Sequence, residues 1–418
     1  GQDMATRAEK SWMLYDVASS AYVLVVVTAI MPVFFSSYAG DSLSKSDTAF
    51  WWGTINSISS AFVALCAPII GAFADLPGRK MKLLKSFVIA GVMTTLLLPT
   101  INEGQWLYAL ILYLIGTSAY SCSNVCYDSF LVDVTTHERM DRVSSLGYAW
   151  GYIGSVIPFT LILCGFMFLP EYYNWTEVSV TKWGFVLTGI WWLVFSIPIC
   201  MFVQQKYSTR PEGAVVKTAF KSLIHTIRDI AANRKLLLFI LAYFLYIDGC
   251  DTIIRMAALF GSSVGLSMSD LMLVLLVIQI VAFPGAMLYG FLADKFSAMR
   301  MILVAIGVYC LIVLIGFILP KLDGKSAKLA AFWVMALLTA SSQGGIQALS
   351  RSMFGRMIPK ERAAEYFGFY NIFGKFAAII GPFLMGISIK LTGNWGDGIL
   401  VLLTLFIGGA VLLIISSR

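Results

Sequence analysis

The chain has 418 residues, of which 59% are hydrophobic and only 13% charged, with a mean hydropathy of +0.81 and a formal net charge of +7. Ordinary globular chains carry roughly a quarter charged residues, so this surface cannot be coated with solvated groups, and a water-soluble enzyme is excluded. Much of the chain must have lipid as its solvent, and its excess of cations has to be tested as a topology signal before it is read as a nucleic-acid footprint.

A helix needs about 20 apolar residues to cross a bilayer. Twelve stretches qualify: residues 12–38, 50–74, 83–101, 105–127, 144–169, 182–203, 236–260, 271–292, 299–319, 328–350, 364–390 and 394–416. An even number puts both termini on one side. Arg7 and Lys10, the cluster Arg79, Lys80, Lys82 and Lys85, then Arg139 and Arg142, the linker cations and the run Arg351 to Arg362 all share that side. Opposite them stand only Lys45, Lys182, Lys321, Lys325, Lys328 and Lys390. The positive-inside bias makes both ends cytoplasmic, which accounts for the net charge without any nucleic acid.

In chain order, the first span places Asp16 and Ser20 on one face, with Trp12 and Tyr15 marking the inner interface. Between the second and third spans lies GAFADLPGRK, Gly71 to Lys80. Gly71 allows close helix approach, Asp75 sits near a helix end, and Pro77 and Gly78 form a tight turn that returns Arg79 and Lys80 to the interface. The fourth span carries a polar stripe of Thr117, Tyr120, Ser121, Asn124 and Asp128 at helical spacing. The inner connection 204–235 is basic and separates an N-terminal half, 4–203, from a C-terminal half, 236–418. Within it Val216, Phe220, Leu223, Ile224, Ile227 and Ile230 recur at helical spacing, with Lys217, Lys221 and Arg228 off that stripe. Such a helix either lies on the anionic inner leaflet or packs on the underside of the protein itself.

An ionised group in hydrocarbon costs several kcal/mol, so charges inside spans are site candidates. In the seventh span Asp248 falls near mid-depth, and Asp251 and Arg255 follow on the same face beside Gly249. Asp294, in GFLADKF between the eighth and ninth spans, echoes Asp75. Its separation from Asp75 nearly equals that of Gly368 from Gly147, about half the chain, so a repeat of six spans is expected. The tenth span offers Gln343, Gln347 and Arg351. In the eleventh, Lys375 follows Asn371 by one turn, beside Gly374, too deep for its ammonium to snorkel to the surface; it is expected to point into a cavity.

Other chemistries fail on inspection. The seven cysteines all lie in apolar spans and read as packing residues; Cys122 and Cys126, one turn apart, have no histidine on their helix, so no metal site is expected. Gly324, Lys325 and Ser326 mimic the end of a phosphate loop, but Leu319 stands where its first glycine is required. His137 and His225 lie outside the spans, leaving no buried histidine for catalysis or a proton relay. Asn174, Trp175 and Thr176 form a glycosylation acceptor on the outer side, which has meaning only in a eukaryotic source. No cofactor and no enzymatic activity are expected.

The Asp75 segment resembles the loop signature of major facilitator transporters. In that superfamily the acidic residue pairs across helices to hold the inner side closed, which implies a gate of Gly71, Asp75, Gly78, Arg79 and Lys80. Asp294 is its second copy, without the following Gly and Arg. Ser11 to Phe35, Leu241 to Gly261 and Arg351 to Pro382 are similar to the vacuole effluxer, autophagy-related branch and its bacterial relatives. That resemblance implies a secondary transporter, with amino-acid efflux from the vacuole attached to the fungal member.

The expectation is therefore an all-α integral membrane protein with the major facilitator fold, twelve transmembrane helices in two six-helix halves. The first, fourth, seventh and tenth line the central cavity of that fold. By alternating access it would carry a small polar or zwitterionic, amino-acid-like solute, coupled to protons. The binding or coupling residues would be Asp16, Asn124, Asp128, Asp248, Asp251, Arg255, Gln343, Gln347, Asn371 and Lys375. Lys375 would take an anionic group; Asp16 or Asp248 would meet a cationic group or carry the proton. The alternatives are a sugar or organic-cation carrier driven by sodium or protons, and a non-transporting scaffold or receptor. A monomer is expected, in the cytoplasmic membrane of a bacterium or the vacuolar or another organelle membrane of a eukaryote.

Overall fold

The computed structural model describes residues 4–210 and 213–418, so residues 211 and 212 of the expected linker lie outside the described residues. Among the described residues, twelve helices are long and apolar enough to cross a membrane: Arg7–Ala39, Lys45–Ala74, Arg79–Thr100, Trp106–Val134, His137–Tyr173, Glu177–Phe202, Arg234–Ala257, Met268–Lys295, Ala298–Lys321, Lys325–Met357, Lys360–Thr392 and Gly396–Ser416. They overlie the twelve apolar stretches and most overrun them with polar residues, because hydropathy marks lipid depth rather than helix length.

The helix ends are set by local chemistry. Thr6 and Glu9 form a reciprocal capping box at the first span, with Thr6 N–H donating to Glu9 Oε1 at 2.9 Å and Glu9 N–H to Thr6 Oγ1 at 3.1 Å. Ser44, Thr176, Ser267 and Ser297 cap the second, sixth, eighth and ninth. Gly78, with φ of 71°, occupies the left-handed region that closes the turn after Asp75. The linker contains an 18-residue helix, Val215–Ala232. Asn233 then caps the seventh span, its side chain accepting from Leu236 N–H at 3.2 Å.

One feature of the first span has no counterpart in the sequence reading. Val23–Ala29 and Phe35–Ala39 are wound as π-helix, on either side of a short α-helical stretch containing Pro32. Ile30 N–H donates to Val25 O at 2.8 Å and Gly40 N–H to Phe35 O at 2.7 Å, each spanning five residues.

The six-span repeat is visible in the pairings. The first span packs on the sixth and the seventh on the twelfth; the second packs on the fourth and the eighth on the tenth; the third meets the fourth and sixth as the ninth meets the tenth and twelfth. Large apolar residues such as Leu65, Ile89, Trp183, Phe291 and Leu391 are exposed, the distribution expected of helices whose outer faces meet lipid. The chain forms two compact units. One comprises Gly1–Thr135, Trp150–Ala219 and Lys360–Gly368, the other Thr136–Ala149, Phe220–Pro359 and Phe369–Arg418. Each therefore holds a short piece of the fifth or the eleventh span.

Candidate functional site

In the first unit Asp75 caps the end of the second span and is buried. Its Oδ1 accepts from Ala364 N–H at 2.9 Å and its Oδ2 from Glu365 N–H at 3.0 Å. Those two donors belong to the first turn of the helix Ala363–Thr392, where backbone N–H groups have no partner within the helix and the dipole favours negative charge. Gly71 and Gly368 make the approach possible. A Cβ on Gly71 would stand 2.3 Å from Ala364 O, and one on Gly368 2.6 Å from Ala67 O. The expected gate carboxylate is thus seated on backbone rather than on a side-chain cation.

Around it, the buried cation is Lys80, while Arg79 is exposed. Lys80 Nζ lies 2.9 Å from Asp133 Oδ2 with both side chains 0% exposed, and 5.1 Å from the centre of the Phe130 ring. Asp133, which the sequence reading missed, also accepts from the backbone N–H groups of Lys206 at 2.9 Å and Tyr207 at 3.2 Å. Gln205 donates to Ala74 O at 3.0 Å and Leu76 O at 3.2 Å and accepts from Lys80 N–H at 3.2 Å. Thr209 N–H donates to Asp75 O at 2.8 Å. The start of the linker is therefore a strap fastened across the Asp75 turn.

Burial pushes the Asp75 carboxyl up to about 7, against the opposing pull of Lys80 and of the Glu365 and Ala364 N–H donors. A carboxyl raised in the joined state contributes most to that state below its ordinary value of 3.8, and loses the contribution as pH rises through about 7. Hydrogen exchange at the Ala364 and Glu365 amides should accordingly speed up between pH 6 and 8 beyond the intrinsic base-catalysed trend. In Asp75→Asn that excess should vanish, solute binding should persist and transport turnover should fall. Equal loss of binding would remove Asp75 from the gate.

In the second unit the echo, Asp294, is partly exposed and bonds a side chain: Arg142 Nη2 at 3.2 Å and Nε at 3.3 Å. Asp141 next to it pairs with Arg356 at 2.8 Å. Arg351, expected to line a stripe with Gln343 and Gln347, is buried; it donates to Ser144 Oγ at 2.9 Å and Ser144 O at 3.0 Å and lies over the Tyr148 ring at 4.4 Å. Gln343 and Gln347 are half-buried.

The cavity candidates fall into two groups, one in each unit. In the first unit Asp16 is half-buried and accepts from Tyr127 O–H at 3.2 Å. The Tyr127 ring stacks on Trp12 at 4.5 Å, and Trp12 Nε1 donates to Tyr127 O at 2.8 Å. A Cβ at Gly151 would come within 2.8 Å of Ser20 Oγ and 3.3 Å of the Asp16 carboxyl, so this glycine leaves room for both. Asn124 is half-buried and Asp128 buried on the fourth span.

In the second unit Asp248 is fully buried, and both its oxygens accept from Gly381 N–H, at 2.9 and 3.0 Å. Pro382 follows, which removes a donor and disturbs the helix ladder at this point. Asp251, half-buried, lies within electrostatic reach of Arg255 and Lys375. Tyr243 stacks on Tyr370 at 4.2 Å, and Tyr370 on Phe354 at 4.7 Å. Asn371 Nδ2 is buried with no hydrogen-bond partner among the described residues. Asp251, Arg255 and Lys375 are thus brought together as charges, with Asn371 one turn from Lys375, while Asp248 is tied to backbone instead of to the lysine.

A twelve-span helical protein with two repeated six-span sets and buried charge inside its spans has the major facilitator fold, and solved structures agree. The human organic anion transporter MFSD10 (TETRAN) matches with a TM-score of 0.74 at 14% identity, covering 97% of this chain and 99% of that one. The proton:xylose symporter XylE matches with a TM-score of 0.71 at 12% identity, covering 97% and 94%. In sequence, the "Uncharacterized MFS-type transporter YxiO" of Bacillus subtilis is 42% identical over 411 residues, 98% of this chain and 94% of the relative. Autophagy-related protein 22 of Pichia angusta is 23% identical over 418 residues, 87% and 73%. The family described as "Vacuole effluxer Atg22 like" matches residues 5–139 and 132–418. The chain belongs to that family, one of membrane transporters and not of enzymes.

Proposed function

We propose that the protein is an alternating-access secondary transporter of a small zwitterionic, amino-acid-like solute, coupled to protons. The observation that supports this reading is the charge group of the second unit, Asp251 within electrostatic reach of Arg255 and Lys375, with the buried Asn371 amide one turn from Lys375 on the same helix. A solute carboxylate entering there meets a lysine and an amide N–H donor.

Asp251 suits proton coupling better than Asp248. It is half-buried and within electrostatic reach of two cations, so gain or loss of its proton changes which partner Lys375 keeps. Asp248 has both oxygens engaged by one backbone N–H and serves to tie the seventh span to the eleventh at Gly381. Purified protein in liposomes should accumulate labelled amino acids under an imposed pH gradient, and Asp251→Asn should abolish accumulation while sparing solute exchange. Asp248→Asn should instead lower thermal stability by about 1–3 kcal/mol, since its amide NH₂ would be buried without an acceptor. Sodium-driven uptake indifferent to pH would refute the proton assignment, and uptake confined to sugars or organic cations would refute the solute.

A further inference from the structure

We propose that the linker helix Val215–Ala232 is a binding surface for anionic lipid, docking on the bilayer leaflet at the lysine- and arginine-rich side of the protein. The helix presents three separate faces. Successive residues are turned about 100° apart, so Ala219, Thr226 and Ile230, all buried, share the face turned to protein. A second face carries Val216, Phe220, Ile224 and Ile227, which are 58%, 51%, 56% and 54% exposed. On its border stand Lys217, Lys221 and Arg228, also exposed.

The occupant follows from where this face sits and what flanks it. Only Asn233 separates the last residue of the helix from Arg234, the first of the seventh span, so its end is held at the membrane boundary. Eighteen residues make a rod about 27 Å long. Arg234 and Lys235, both exposed, continue the basic border beyond it. An exposed apolar row with cations along one edge is the arrangement that sinks to the acyl boundary and leaves ammonium and guanidinium groups among phosphates. Exposed to water, four large apolar side chains in a row would be a standing cost; against a bilayer they are buried by the membrane the protein already spans.

The docked helix has a line of action. Upstream of it, Gln205 and Thr209 are hydrogen-bonded to the Asp75 turn, and Lys360 Nζ lies over the Tyr207 ring at 5.2 Å. Fixing the helix on the leaflet limits how far that strap can lift from the turn.

The test reads backbone amides and does not depend on what solute is carried. Full-length protein is reconstituted in phosphatidylcholine alone or in phosphatidylcholine mixed with phosphatidylglycerol, and hydrogen exchange is followed over residues 215–232, with the spans as internal control. Each cation near an anionic surface biases docking about fivefold, so three of them slow exchange about a hundredfold at low ionic strength. High salt should erase the difference. Lys217→Gln/Lys221→Gln/Arg228→Gln should exchange equally in both lipids, and Phe220→Ser/Ile224→Ser should lose protection in both. Equal exchange of the parent protein in the two lipids overturns the proposal, as does a lipid response that survives in the triple variant. Protection that depends on protein density rather than lipid charge overturns it too, because the occupant is then a second copy of the chain.

Discussion

Replacing Lys80 or Asp133 alone is expected to cost about 3–5 kcal/mol of stability, because each leaves the other as an uncompensated charge in a dry site. Both side chains are 0% exposed and their charged atoms are 2.9 Å apart, so water has no route to screen whichever survives. The two losses should not add. In Lys80→Met the carboxylate of Asp133 keeps the N–H groups of Lys206 and Tyr207 but loses its counter-charge. In the double variant Lys80→Met/Asp133→Asn the neutral amide oxygen still accepts from that backbone and no charge is stranded. Thermal unfolding in detergent should show the double variant more stable than Lys80→Met alone. Small, additive losses would mean the pair is solvated and the strap is held by Gln205 instead. Turnover should fall along with stability, since removing Lys80 also withdraws the cation that opposes the upward push on Asp75.

The same neighbourhood shows why some of the site could be read from sequence and some could not. Twelve apolar runs are local facts of composition, and so is a Pro-Gly turn after Asp75; each needs only adjacent residues to be recognised. Asp133 lies 53 residues from Lys80, at the end of a span where a carboxylate looks like any interfacial charge. Nothing in its own segment says that a lysine will be folded onto it. The partners of Asp75 and Asp248 were harder still, because they are backbone N–H groups, which every non-proline residue carries. Only the glycines that admit them, Gly71 and Gly368 for one and Gly381 before Pro382 for the other, hint at where a carboxylate can approach. Tyr127 lies seven residues after Tyr120 and three after Asn124, on the polar side of its helix, but nothing in that segment says that its hydroxyl will hold the Asp16 carboxylate of another span. The π-helical turns of the first span have no periodic signal, since one extra residue in a turn leaves the apolar run unbroken.

Lys375 carries the proposed solute specificity, and Lys375→Ala should weaken binding of carboxylate-bearing solutes by about ten- to a hundredfold, the worth of a hydrogen bond to a charged group. Neutral solutes should be affected far less. A lysine this deep in a span has Asp251 within electrostatic reach, and Arg255 reaches the same carboxylate. The resting protein therefore satisfies the ammonium without any solute. An incoming carboxylate can take the place of Asp251 at Lys375, leaving Asp251 to Arg255 or to a proton, and that exchange ties occupancy to the charge state of the eleventh and seventh spans. Lys375→Arg separates charge from shape: a planar guanidinium keeps the charge but presents a rigid fork where the ammonium is a compact point. It should restore carboxylate binding only in part and leave the selectivity over neutral solutes intact. Calorimetry on the purified protein distinguishes these outcomes directly. If Lys375→Ala binds its carboxylate solute as tightly as the parent, the lysine only ties helices together through Asp251, and the amino-acid reading loses the interaction on which it rests.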